Sequence, residues 1–255
     1  MTVKLVSREL GGSGQPIIVL HGLLGSSRNW QSAVAALALR GPRVIALDLR
    51  NHGDSPWADG CRVADMAEDV VAWIKEAAVA PVHLLGHSLG GKVAMRLAVD
   101  HPELVSRLTV VDIAPRVYAP RFMAEFEAMR SVDLSKLTSR REAEQILEKQ
   151  MPNWALRQFI LTNLSQDPTG TWLWKVNLDA LERGLPGIQD NPLQPGQSYV
   201  GPTRLIRGGQ SNYVVDEDIP NFLQYFPNGD VVTLPDSGHN PHFDARSGFL
   251  DAVLT

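Results

Sequence analysis

The chain has 255 residues and a mass of 28.0 kDa, with 44% hydrophobic and 20% charged residues. These are the proportions of a soluble globular protein with enough apolar material for a sizeable core, and they exclude a disordered tail, a collagen-like repeat and a coiled-coil rod. Lys and Arg number 24 against 28 Asp and Glu, a net charge of −4 with a pI near 6.0, and without a basic run the chain matches no nucleic-acid backbone.

The one cysteine, Cys61, can form neither an intramolecular disulfide nor a zinc cluster, as expected in a reducing compartment. The first residues, Met1 to Arg8, lack the apolar core and cleavage site of a signal peptide. No apolar run approaches the roughly 20 residues that cross a bilayer. The expectation is a cytoplasmic protein without membrane insertion or nucleic-acid partner, compatible with a monomer.

In chain order, Pro16 to Leu20, Arg43 to Leu47, Val82 to Leu85 and Leu108 to Val111 are short, nearly continuous apolar runs. Each is bounded by turn residues, as in strands buried on both faces of a parallel sheet. Helical patterns alternate with them at Asn29 to Leu39, Val63 to Ile74 and Lys92 to Val99. That alternation implies right-handed crossovers and a doubly wound, mostly parallel α/β sheet. The same grammar returns with strands at Thr203 to Ile206 and Val231 to Leu234, and helices at Asp216 to Phe226 and Ser247 to Leu254.

Between these halves the strand signal is lost. Helical stretches run from Arg121 to Arg130, from a capping-box pattern at Ser139 to Glu142 on to about Lys149, from Asn153 to Leu164 and from Leu178 to Leu181. The predicted organisation is a core of residues 1–115 and 201–255. A helical cap, residues 116–200, is inserted late in the sheet over its C-terminal edge and is not an independent domain.

Gly86-His87-Ser88-Leu89-Gly90 follows a predicted strand and opens a predicted helix. A strand turning at once into a helix strains its central residue and brings neighbouring backbone too close for side chains, which accounts for the glycines. The turn exposes the Ser88 hydroxyl at a helix N-terminus, where unpaired N–H groups favour developing negative charge. His239 lies on the turn Ser237-Gly238 after the last predicted strand. His242, behind Pro241, is expected to start the final helix, and His21 and His52 to brace loops.

With His21-Gly22-Leu23-Leu24-Gly25-Ser26, the elbow and Asp236-Ser237-Gly238-His239, the whole chain resembles the α/β-hydrolase family. The stretch Arg50-Asn51-His52-Gly53-Asp54-Ser55 is similar to that of bacterial esterases related to human abhydrolase domain-containing protein eleven. The resemblance implies a carboxylester or acyl-thioester hydrolase, with the backbone N–H groups of Leu23 and Leu89 as the oxyanion hole and, from the family's order of serine, acid and histidine, His239 as the general base. The usual acid position after the next-to-last strand holds Ser211, which cannot balance an imidazolium. Asp112, ending the strand before the cap, is favoured over Asp216, and Ser211 is an auxiliary candidate.

The expected function is a serine carboxylester hydrolase for small-molecule esters of short- to medium-chain acids, with thioesters a further class, working through an acyl-enzyme without metal or organic cofactor. A C–C bond hydrolase or lyase using the same triad is the alternative within enzymes, and a weakly catalytic small-molecule receptor the alternative outside them. Phe122, Phe126, Trp154 and Trp174 are candidates for the substrate pocket. Arg50 is weighed between a substrate anion and a structural ion pair.

Overall fold

Uninterrupted aliphatic runs have no polar face to give to water, and they form the interior of one sheet. The computed structural model describes residues 1–9 and 11–255. Its strands are β1 (Ser7–Glu9), β2 (Pro16–Leu20), β3 (Arg43–Leu47), β4 (Val82–His87), β5 (Val105–Val111), β6 (Leu164–Gln166), β7 (Trp172–Trp174), β8 (Thr203–Gly208) and β9 (Gly229–Leu234). Seven of them form a sheet in the order β1-β3-β2-β4-β5-β8-β9. Only β1 runs antiparallel to its neighbour; the other pairings are parallel.

The helices are α1 (Gln31–Ala38), α2 (Val63–Ala77), α3 (Leu89–Asp100), α4 (Met123–Arg130), α5 (Arg140–Glu148), α6 (Trp154–Leu161), α7 (Leu178–Gln189), α8 (Asp218–Tyr225), α9 (Pro241–Asp244) and α10 (Arg246–Leu254). Alternate residues of each strand serve opposite layers, as the pleat demands. Ile17 and Val19 pack with Val34 and Leu37 of α1 and Phe249 of α10, whereas Ile18 and Leu20 pack in the core that holds α2 and α3. Helices α4 to α7 and the β6–β7 hairpin lie between β5 and β8 in the chain.

Three short strands escape the sequence patterns. The edge strand β1 consists of three residues, Ser-Arg-Glu, and carries no apolar run. Strands β6 and β7 are three residues each and pair only with one another. The capping box at α5 is shifted by one residue: Ser139 Oγ accepts from Glu142 N, while the Glu142 carboxylate accepts from the N–H of Thr138. Arg50 is a structural residue. It is buried, donating through Nε and Nη2 to the Asp69 carboxylate at 2.5 and 2.7 Å, and it lines neither of the two cavities at Ser88. No helix among the described residues is long and apolar enough to cross a membrane.

Candidate active site

Strand β4 ends at His87 and helix α3 begins at Leu89, leaving Ser88 alone to make the turn, at φ 51° and ψ −117°. This left-handed conformation costs a non-glycine residue on the order of 1–3 kcal/mol, and the surrounding backbone enforces it. Ser88 N donates to Val111 O at 3.1 Å, and Gly90 N to His21 O at 3.1 Å. A Cβ on Gly86 would lie 2.1 Å from Gly90 O, and one on Gly90 2.3 Å from Leu20 O. Neither position admits a side chain while the turn is this tight.

The preceding loop is braced by two neutral histidines. His21 donates Nδ1–H to Gly22 O at 2.8 Å and accepts Leu49 N–H at Nε2 at 3.0 Å. His52 donates Nδ1–H to Arg50 O at 2.9 Å and accepts from Leu24 N–H at 3.2 Å. Carbonyl acceptors fix both tautomers. Burial pushes the pKa of His52 down to about 3 and lowers that of His21, so both stay neutral and keep their accepting nitrogens. The loop they hold carries Leu23, whose amide, like that of Leu89 at the start of α3, has no acceptor among the described residues.

Asp112 directly follows β5, at φ 50°, and is completely buried. Its Oδ1 accepts Gly208 N–H at 2.9 Å, and its Oδ2 accepts His239 Nδ1–H at 2.8 Å. The Ser211 hydroxyl donates to the same Oδ2. With Nδ1 carrying the proton, His239 presents Nε2 as a base. Its ring is stacked on Tyr213 at 3.5 Å and 13°. His87 Nε2–H donates to the His239 carbonyl at 2.8 Å, tying the histidine turn to the elbow. Asp216 is elsewhere: largely exposed, it pairs with Arg207 at 2.6 Å.

Ser88 and His239 both line a cavity of about 1130 Å³, together with Phe122, Trp154, Phe159 and Phe243. No hydrogen bond joins Ser88 to His239 among the described residues. Of the four aromatic pocket candidates, Phe122 and Trp154 line this cavity. Phe126 and Trp174 are corrected. Phe126 is wholly buried in the core, and Trp174 is buried with its Nε1–H on Met129 O at 3.2 Å. Both serve the interior that α4 to α7 need in order to pack. His242 lies in the short helix α9, ahead of the final helix, and stacks on Trp30 at 3.9 Å. Tyr213 and Lys92 carry no motif, and His87 stands only at the variable position of the elbow; their partners come from other parts of the chain.

A model of the alpha/beta hydrolase fold family matches residues 15–246. The chain belongs to this family. It is 37% identical over 246 residues to the sn-1-specific diacylglycerol lipase ABHD11 of Mus musculus, covering 94% of this chain and 80% of that protein. A putative esterase/lipase of Haemophilus influenzae is 33% identical, covering 93% of this chain and 81% of that protein. Among solved structures, a marine microorganism esterase superposes with a TM-score of 0.95 at 35% identity, covering 99% of both chains. The α/β-hydrolase fold expected from the motifs is the fold present, and the chain is a carboxylic-ester hydrolase.

Proposed function

We propose that the chain hydrolyses esters of short- to medium-chain acids, and acyl thioesters as a second class, with Ser88 as nucleophile, His239 as general base and Asp112 as the acid that orients it. The observation that carries this reading is the 2.8 Å contact from His239 Nδ1–H to the buried Asp112 carboxylate, made beside a strained Ser88 that faces the same cavity.

In this mechanism His239 Nε2 takes the Ser88 proton as Oγ attacks the carbonyl carbon, and the imidazolium is balanced by Asp112. The N–H groups of Leu23 and Leu89 receive the oxyanion; each such donor is worth about 10²- to 10³-fold in kcat. His239 then protonates the departing alcohol, activates water against the acyl-enzyme and restores Ser88. Ser211 assists by donating to Asp112 and fixing the carboxylate that His239 needs. Residues 116–200 act as the cap that bounds the substrate cavity, with Phe122 and Trp154 on its wall.

Hydrolysis of p-nitrophenyl butyrate by the wild type beside Ser88→Ala tests this reading. Wild-type turnover that falls by about 10⁴-fold or more in the variant is the expected result. Turnover surviving in Ser88→Ala, or a folded wild type with none, contradicts it.

A further inference from the structure

Ser88 stands where two spaces of very different size meet. The first is the cavity of about 1130 Å³. The second is a recess of about 30 Å³ that shares Leu23, Phe122 and Tyr213 with the cavity at its mouth and is lined beyond them by Lys92, Ile113 and Ile188. Room for one water needs roughly 10–15 Å³ on this measure, so the recess takes about two or three non-hydrogen atoms.

The far wall of the recess belongs to the end of α7, and it is fastened down. Lys92, one turn beyond Ser88 on α3, is 2% exposed and donates from Nζ to Ile188 O at 3.1 Å and Asp190 O at 2.6 Å. Tyr118 N–H donates to Gln189 O at 2.9 Å. The wall cannot retreat without taking both carbonyl acceptors from the buried Lys92 Nζ, so the depth of the recess is a fixed dimension.

General-base chemistry decides which half of an ester goes where. His239 must reach both the Ser88 hydroxyl and the leaving-group oxygen, so the alcohol departs on the histidine side of the serine. His239, Asn240 and His242 line the large cavity, and none of them lines the recess.

We propose that the recess is the acyl subsite and the large cavity the alcohol subsite. On the proposed ester-hydrolase reading, this makes the preferred substrate a short-chain acyl ester, with about two to four acyl carbons, of a bulky alcohol. Ile188, held by Lys92, sets the limit.

Two substrate series on the wild type test the assignment: p-nitrophenyl esters from acetate to decanoate, and alkyl acetates from ethyl to decyl. We expect kcat/KM to fall at least about tenfold between butyrate and octanoate, since an over-long chain must be strained or displaced, and to change by no more than about threefold along the acetates. In Ile188→Ala the fall should move to longer acyl chains, with the acetate series unaltered. Octanoate hydrolysed as fast as acetate by the wild type, or a length limit in the alcohol series, overturns the assignment even if Ile188→Ala does not fold. Absence of Ser88-dependent hydrolysis on every ester would instead overturn the ester-hydrolase reading itself.

Discussion

Asp112 and Asp216 differ in what they can offer an imidazole. Asp112 is buried, held by Gly208 N–H and the Ser211 hydroxyl, and meets His239 Nδ1 at 2.8 Å. Asp216 spends its charge on Arg207 at the surface. Asp112→Asn replaces an acceptor with an amide that can hold the wrong tautomer of His239, and kcat should fall by about 10³- to 10⁴-fold. Asp216→Asn should leave it within about twofold, surface substitutions having small effects; steady-state kinetics on one short ester would check both. Ser88 and His239 were legible as candidates because each sits on a turn that the sequence marks, and Asp112 because it stands at the end of an apolar run in a chain that resembles the family. Tyr213, His87 and Lys92 were not, because what matters about them is the partner: a ring face at 3.5 Å, a carbonyl from the far end of the chain, the last carbonyls of α7. Phe126 and Trp174 show the converse error, in which a large apolar side chain in the right segment belongs to the interior.

At the scale of elements, the buried parallel strands were legible because they are apolar on both faces. Strand β1 was not, being a three-residue polar edge defined by pairing with β3. Strand β4 extends to His87, two residues past its last aliphatic residue, Leu85. The elbow depends on that extension, and its glycines make a sharp comparison with another glycine of the fold. Gly86→Ala forces Cβ against Gly90 O, so it should destabilise the protein by several kcal/mol, in the range of strained core substitutions, and abolish activity. Gly187 in α7 has nothing within 4 Å of where its Cβ would lie. Gly187→Ala should therefore be neutral or raise stability by about 0.5–1 kcal/mol. Urea unfolding of the two variants measures this difference.

Across the whole molecule, Lys92 joins α3, the helix after Ser88, to the segment inserted after β5. Burial pushes its pKa down to about 7 from 10.5, against the pull of Asp190 and with the push of Arg116, while the Tyr118 ring lies 4.8 Å beneath the ammonium. Between those two values the unfolded chain binds a proton that the folded chain does not, so the Lys92 contribution to stability rises with pH. It is fully present above about 10.5 and lost as pH falls through about 7. The stability of the wild type relative to Lys92→Met should accordingly climb between pH 7.5 and 9.5, with a slope of at most about 1.4 kcal/mol per pH unit. A difference that stays flat, or declines, would mean that the lysine keeps its ordinary pKa.

The central claim is that one serine, raised on the turn between β4 and α3, does the covalent chemistry. Its most direct test is peptide mapping by mass spectrometry after treatment with p-nitrophenyl diethyl phosphate, which transfers its phosphoryl group to an activated serine and releases p-nitrophenol. One diethylphosphoryl group per chain is expected on the peptide containing Ser88, and none on folded Ser88→Ala. A stable adduct on another residue, or a folded, unmodified wild type that still hydrolyses esters, would contradict it.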